Sequence, residues 1–494
     1  MTAAEMPPEL DEIIAKGPHD RAFLGHPKGL GFLSFVEGCE RFSYYSMQTL
    51  LVLYMVKYLL LPENIGGVIG LDWLRSVHYQ GLEGQPLASA IFGDYSSTVY
   101  LTPILGGLIA DRWLGRRITL ILGGLIMALG HFLMAFEGAF LFALLSLIVG
   151  VGLFKGNIAS QVGELYEDND LRRAMAFQIF YIAINVSVII APLISGTLGE
   201  KVGWHYGFGT AGIVMVAGLV LYLKAGPWLP DGSRPGSRAK TTPRQKLTSA
   251  DWPRLLALIA LIPVLAVSLL TNQEIFNAYL IWADEQFQLT FFGVTLPTSY
   301  MITIDAALSF SMLVAVAGFW KWYGTRRQEP DELSKMIIGS VFCVIGGLCL
   351  VIAAATQGNA KIGLFWPLLF HLFNSIGFSN IMPVSLALFS KVAPRAIMAT
   401  VIGIYYLAFF SANKIVGIVG GWYSTMDTTQ FWLLHVASAS VGLIAFTLYK
   451  LVLMKHLTKQ PAEPNSAIDC MPAAIAAPLA FQTAMSWLEQ PSSA

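Results

Sequence analysis

Two glutamates, Glu37 and Glu40, an arginine, Arg41, and two tyrosines, Tyr44 and Tyr45, sit inside an otherwise apolar stretch. Their spacing of three, four, seven and eight residues gathers them on one face of a helix. A polar face on an apolar helix lines a cavity rather than touching lipid. Across all the apolar stretches there are five acids (Glu37, Glu40, Asp94, Glu274, Asp305) and three bases (Arg41, Lys155, Lys414). Complete pairing still leaves two carboxylates without a cation. Such a group must face water or hold a proton, because desolvation favours the neutral acid. The excess points to proton coupling. Acids at wet helix ends are the plainer reading for Asp94 and Asp305, and both readings stay open there.

These residues need elements to carry them. A membrane-spanning helix takes about 20 predominantly apolar residues. Such segments fall near 28–58, 86–110, 117–136, 138–162, 172–199 and 206–224, and again near 254–283, 300–322, 333–355, 361–391, 396–420 and 430–456. The seventh is the least regular, with Asn272, Gln273 and Glu274 inside an apolar run. Ala225–Pro253 between the two sets is rich in proline and basic residues, which is linker composition. The expected organisation is an N-terminal segment (1–27), a six-helix bundle (28–224), a linker (225–253), a second bundle (254–456) and a tail (457–494). Two halves of near-equal length joined by a basic linker suggest an all-α membrane protein with a major facilitator fold, a parallel-repeat transporter of twelve spans.

Composition agrees. Of 494 residues, 55% are hydrophobic and only 13% charged, with a mean hydropathy of +0.61. Soluble domains carry roughly 25% charged residues, so a conventional soluble enzyme is excluded. Balanced charge, 31 basic against 31 acidic residues, gives no footprint for nucleic acid. Four scattered cysteines suit neither a disulfide framework nor a zinc site, and no cofactor or metal is called for. HExxH, GxSxG and paired catalytic aspartates are absent, so no enzyme is expected. Residues 1–27 lack the apolar core of a cleavable signal, and the apolar piece Ala473–Leu488 contains Pro478 and reads as surface-associated or disordered. Of the 31 lysines and arginines, 24 fall on the side holding both termini and four on the opposite side. By the positive-inside rule both termini are cytoplasmic, in a multi-pass protein of the plasma (inner) membrane.

Depth follows from helical rise. Glu37 lies nine residues after Lys28, and Lys155 nine before Glu164, so both are roughly 13 Å from the same end of their helices. A salt bridge from Glu37 or Glu40 to Lys155 is therefore feasible between spans 1 and 4. Glu274, Lys414 and Asp305 all fall in the opposite half of the membrane, where an acid–base cluster would either latch that mouth or serve as a structural ion pair. His371 is about ten residues into span 10, close to the midplane by its rise of about 1.5 Å per residue. It reads as a buried neutral histidine or as a proton relay.

Four motifs then carry a resemblance. Glu37-Gly-Cys-Glu40-Arg41-Phe42-Ser-Tyr44-Tyr45 resembles the ExxERFxYY motif of the proton-dependent oligopeptide transporters, and His26-Pro27-Lys28-Gly29-Leu30 the segment before it. The run from Tyr100-Leu-Thr-Pro103 through Asp111-Arg112 to Gly115-Arg116-Arg117 resembles that family's loop motif. Gly152-Leu-Phe-Lys155-Gly-Asn157 resembles its lysine motif in span 4, and Phe180-Tyr181-Ile-Ala-Ile184-Asn185 its FYxxIN signature, with Ser187 where glycine is usual. The resemblance implies proton-driven import of di- and tripeptides by alternating access. It implies that Glu37, Glu40, Arg41 and Lys155 couple protons and that Tyr44, Tyr45, Tyr100 and Asn185 contact the peptide. Protons, small peptides and the lipid bilayer are the implied partners, with no nucleic acid and no obligate protein partner.

The chain also departs from the family pattern, at one position in span 1 and at several in the C-terminal half. Gln48 stands where an arginine usually holds the peptide carboxylate, and Gly377-Phe378 stands where a Gly-Glu pair would supply the carboxylate for the peptide amine. Gln273-Glu274 reverses the usual Glu-Gln, so Glu274 is the substitute candidate for substrate binding. Tyr405-Tyr406 replaces Trp-Phe, while Asn413 keeps the pattern. Ala225–Pro253 is too short for the two extra helices of most bacterial members. Another small solute moved by the same proton machinery is the alternative, and a peptide-binding sensor without turnover a further one.

Overall fold

The computed structural model describes residues 20–167, 170, 172–230, 251–358, 360–394 and 397–457. The readings of the extreme N-terminus, most of the linker and the tail lie outside these residues.

Span 1 is Lys28–Tyr54 and span 2 Gly84–Ile109, and each is prolonged by a π-helical turn, Met55–Leu59 and Ala110–Leu114. Spans 3 and 4 are Arg116–Leu133 and Phe140–Glu164. Span 5 is Arg172–Ala191 and continues in π-helical turns to Val202, and span 6 is Trp204–Lys224. Spans 8, 9, 10 and 12 are Tyr300–Gly324, Glu332–Thr356, Phe365–Val392 and Thr428–Leu457. Among the described residues, nine helices are long and apolar enough to cross a membrane. Spans 1, 2 and 7 bring the segments to twelve. They are the ones that carry the Glu37–Arg41 charges, Asp94 with its hydroxyl-rich neighbours, and a break.

That break is in span 7, which runs as Trp252–Ser268, Leu270–Glu274 and Ala278–Gln286. Asn277 leaves the helical region (φ −123°, ψ −111°). The Glu274 carboxylate accepts the N–H of Ala278 at 3.1 Å. A side chain thus satisfies a donor near the break, as a dry interior requires. Span 11 is also divided, into Met398–Tyr405 and Leu407–Gly420. Two elements were not anticipated: a short helix, Leu71–Val77, and a hairpin of strands β1 (Thr290–Phe291) and β2 (Val294–Thr295). Phe292 and Gly293 turn the hairpin, both at positive φ, as a type I′ turn demands.

Span 1 packs on spans 5 and 6, span 3 on spans 4 and 6, and span 2 on span 4. In the other half, span 9 packs on spans 10 and 12, span 8 on span 10 and span 7 on span 12. Large apolar side chains such as Leu105, Leu129, Ile213 and Val441 face outward, which suits a surface solvated by lipid. The halves meet where span 2 lies on span 11 and span 5 on span 8. A Cβ on Gly93 would fall 2.5 Å from the Cα of Gly417, so the span 2–span 11 crossing is backbone on backbone, the close approach small residues allow in lipid.

Among the described residues, cross-half polar contacts gather at the end away from the linker, the far face. Lys57 pairs with Asp284 at 2.8 Å, and Lys414 with Asp94. Glu200 accepts the backbone N–H groups of Thr298 and Ser299 at 2.7 and 2.9 Å, capping the start of span 8 from the other half. Gln85 donates to the Gly420 carbonyl and Ser89 to Asn277. Towards the linker face the halves part around a cavity of about 830 Å³ between spans 5, 8 and 10, lined by residues from Gln178 and Tyr181 to Glu329, Lys335 and Lys391. The protein is closed at the far face and open at the linker face. Gly93→Val is expected to lower the thermal unfolding midpoint in detergent, through an overpacking cost of about 1–3 kcal/mol. Gly107→Val, with open space around its Cβ, serves as the control, and equal midpoints for the two variants would refute the backbone contact.

Candidate functional site

Span 1 delivers its charges to the interior as the helical spacing requires. Glu37, Glu40 and Arg41 are 2%, 0% and 7% exposed. The Arg41 Nε lies 2.7 Å from Glu37 Oε1 and 2.9 Å from Glu40 Oε2. One guanidinium therefore bridges two carboxylates. Glu37 Oε2 and both oxygens of Glu40 lack a hydrogen bond of good geometry among the described residues. The expected bridge from these glutamates to Lys155 is not formed. Arg41 shares their helix, at i+4 from Glu37 and next to Glu40, and so reaches both first. Lys155 makes no ion pair within 4 Å among the described residues and instead lies over the rings of Tyr100 and Tyr44, 5.1 and 5.9 Å from their centroids.

Aromatic rings extend the site across both halves. Tyr44 meets Tyr45 edge-on at 5.1 Å. Tyr100 of span 2 stacks on Phe409 of span 11 at 4.9 Å, and Tyr45 approaches Phe276 of span 7 at 6.3 Å. Gln48 donates to the Tyr44 hydroxyl at 2.9 Å and to Ser96 at 3.2 Å, and is 4% exposed. It therefore orients Tyr44. Asn185 donates one of its two amide hydrogens to the Tyr181 carbonyl one turn back, and Tyr181 and Gln178 line the cavity. The arrangement offers phenol and amide groups that can hydrogen-bond a peptide backbone beside a cluster of two acids and two bases.

The three residues expected in the outer half, Glu274, Lys414 and Asp305, do not assemble into one acid–base cluster. Lys414 pairs with Asp94, which also accepts from Tyr79 at 2.9 Å and lies 2.7 Å from His78 Nε2. Asp305 lies 2.8 Å from His371 Nδ1, and the other ring nitrogen of His371 lies 2.7 Å from the Tyr279 hydroxyl. Glu274 is wholly buried among spans 7, 11 and 12, with Asn277 donating to its Oε1 at 3.0 Å and His435 Nε2 lying 3.5 Å from its Oε2. Charge pairing is satisfied locally, by whichever partner the packing brings first, so a shared depth does not produce a shared cluster. In this state Glu274 cannot touch a solute in the cavity.

His78, Tyr79, Tyr279, Asn277 and His435 went unnoticed in the sequence. His435, and His131 beside Ser43, carried a usable signal: an ionisable ring inside an apolar run invites the same question as an acid there.

Residues 41–417 match the Major Facilitator Superfamily, and the chain belongs to that superfamily. It is 28% identical to the Uncharacterized transporter YclF of Bacillus subtilis (strain 168), over 90% of this chain and 96% of that protein. It is 29% identical to the Peptide transporter YePEPT of Yersinia enterocolitica, over 82% of this chain and 89% of that one. The solved structure of a peptide transporter POT, a Glu→Gln mutant in complex with alafosfalin, matches with a TM-score of 0.77 and 26% identity, covering 91% of this chain and 99% of that chain. Within the superfamily, this is a member of the POT family of peptide transporters.

Arg41→Met would leave two buried carboxylates facing each other, and breaking a buried ion pair from one side costs about 3–5 kcal/mol. Unfolding in detergent is expected to show that loss, and the triple change Glu37→Gln/Glu40→Gln/Arg41→Met to recover most of it. A triple variant as unstable as Arg41→Met would show that Arg41 stabilises by packing and not by charge.

Proposed function

We propose that the protein is a proton-coupled symporter that imports di- and tripeptides by alternating access, in the inner membrane with its linker face in the cytoplasm. The observation that carries this reading is the Glu37–Arg41–Glu40 cluster, buried beside Lys155 and the pocket tyrosines. Arg41 neutralises one carboxylate. The second is balanced by Lys155 through space or by a proton. A peptide carboxylate arriving over Tyr44 and Tyr100 competes for Lys155, and each ammonium charge drawn towards the peptide leaves a glutamate that favours a proton. Peptide and proton thus enter together, without any covalent step. Closure at the far face and the cavity at the linker face correspond to a protein facing the cytoplasm.

The missing Arg and Glu weaken the usual hold on the peptide termini. Gln48 offers a carboxylate neutral hydrogen bonds only, about half as strong as the charge-assisted bonds of an arginine, and its amide is already engaged with Tyr44 and Ser96. Phe378 offers an ammonium group a cation–π contact of about 0.5–2 kcal/mol. Backbone contacts from the tyrosines and the charge of Lys155 carry more of the recognition.

Labelled dialanine uptake into proteoliposomes, driven by an inward proton gradient, tests the reading. Wild type is expected to concentrate the peptide, while Glu37→Gln and Lys155→Ala lose concentrative uptake yet keep counterflow without a gradient. Normal concentrative uptake in both variants would sink the coupling role, and uptake of another small solute with none of dialanine would sink the substrate class. Dialanine amide is expected to compete nearly as well as dialanine, and Gln48→Arg to widen the difference. An unchanged ratio in Gln48→Arg would remove position 48 from terminus binding.

A further inference from the structure

Two ionisable groups meet between spans 7 and 12 with no solvent around them. Glu274 and His435 are both 0% exposed, and Oε2 of the carboxylate lies 3.5 Å from Nε2 of the imidazole. Nδ1 of His435 is committed, 2.9 Å from the Phe431 carbonyl oxygen. That oxygen can only accept, so Nδ1 carries a hydrogen. Oε1 of Glu274 is committed as well, accepting from Asn277 Nδ2 at 3.0 Å and from the Ala278 N–H at 3.1 Å. Oε2 and Nε2 are left over, and neither has a hydrogen-bond partner among the described residues. With Nδ1 protonated, a neutral imidazole and an ionised carboxylate would point two lone pairs at each other in a dry interior, an unfavourable arrangement. One added proton, on either atom, turns that contact into an ion pair or an acid–base hydrogen bond.

We propose that Glu274 and His435 form a buried proton-binding site in the C-terminal half, holding one proton between Oε2 and Nε2 while the far face is closed. The charged groups on neighbouring elements are engaged elsewhere. Lys414 of span 11 pairs with Asp94 of span 2, and His371 of span 10 lies between Asp305 of span 8 and Tyr279 of span 7. Farther along span 7, Asp284 pairs with Lys57 and Glu285 accepts from Tyr423. None of them supplies the missing charge.

The site is tied to closure through Asn277. Its Nδ2 holds Glu274 and also reaches the Val416 carbonyl at 3.2 Å, while its Oδ1 accepts the Ser89 hydroxyl of span 2 at 2.9 Å. Gly420 leaves no room beside the carboxylate, since a Cβ there would lie 2.6 Å from Oε1. Parting the halves at the far face breaks the Ser89–Asn277 contact and lets water in. Near neutral pH a hydrated carboxylate is ionised and a hydrated imidazole largely neutral, so the open pair holds no extra proton. Closing therefore takes one up. The site stands on this geometry alone, and only its part in importing peptides rests on the function proposed above.

By linkage, a closing equilibrium that absorbs one proton shifts tenfold per pH unit. The test uses the full chain in nanodiscs, with its four cysteines replaced by alanine and spin labels on the exposed Gln80 and Phe292. Pulsed electron resonance gives the closed-to-open ratio across roughly pH 6 to 8, around the imidazole range, without any peptide. Glu274→Gln keeps the acceptor for Asn277 and Ala278 and turns an amide N–H towards Nε2, a permanent substitute for the shared proton. The expected result is a wild-type ratio that rises about tenfold more per unit of acidification than in Glu274→Gln. Equal slopes would overturn the site. His435→Gln supplies the same comparison if Glu274→Gln does not fold, and again a slope equal to wild type counts against the proposal. Wild type that shows the slope but no proton-driven dialanine uptake would refute the transport reading and leave this site standing.

Discussion

Everything polar in this protein answers to one constraint: a charge out of reach of water must be paired or must carry a proton. The Arg41 guanidinium is where that constraint is tightest. Its Nε lies within 3 Å of both glutamates of span 1, so the helix that enters the membrane with three charges presents a single net negative charge to its neighbours when all three are ionised. Lys155 is thereby freed from a fixed bridge and sits over two tyrosine rings, which stabilise a cation without neutralising it. A cation held in this way is the one group in the cluster able to respond to a newly arrived anion.

The same rule explains the uneven interface between the halves. Backbone groups released at the break in span 7 have to be satisfied, and Glu274 accepts the Ala278 N–H from within while Asn277 Nδ2 holds the same carboxylate oxygen. Asn277 donates through Nδ2 and keeps its Oδ1 as an acceptor, and the Ser89 hydroxyl from the other half donates to it. Glu200 does the converse, reaching across to backbone donors at the start of span 8, where helix N–H groups lack internal partners. Closure at the far face thus combines side-chain ion pairs with bonds that complete unfinished helices. The linker face shows no comparable crossing among the described residues, which is why the cavity opens there.

Much of the fold was legible because its signal is long and repetitive. Apolar segments of spanning length, the basic linker composition and the face formed by Glu37, Glu40, Arg41, Tyr44 and Tyr45 depend on local spacing alone. Pairing depends on which helices touch, and spacing does not contain that. Equal depth made Lys155 a plausible partner for Glu37, but depth fixes one coordinate and leaves the azimuth of each helix free. Asp305 and Glu274 were likewise placed at the right level and given the wrong neighbours, since their histidines lie on spans 10 and 12. The break in span 7 was hinted at by Asn272-Gln273-Glu274, whereas the cap that completes it needs the third dimension.

The divergence from the family pattern at Gln48 in span 1 and Glu274 in span 7 acquires a physical meaning from these placements. Glu37 and Glu40 against Arg41 and Lys155 sum to zero when all four are ionised, so the cluster needs no counterion when empty. An arginine at position 48 would add a buried positive charge that only an anionic ligand could balance. Gln48 adds none and is instead held between Tyr44 and Ser96, where it supports the Tyr44 ring. Glu274 shows the corresponding change on the other side. Glu274 stands one residue from the glutamate of the usual Glu-Gln pair, and here it lies in the packing between spans 7 and 12, where His435 meets it. In an α-helix one residue rotates a side chain by about 100°, enough to give a carboxylate a different set of neighbours.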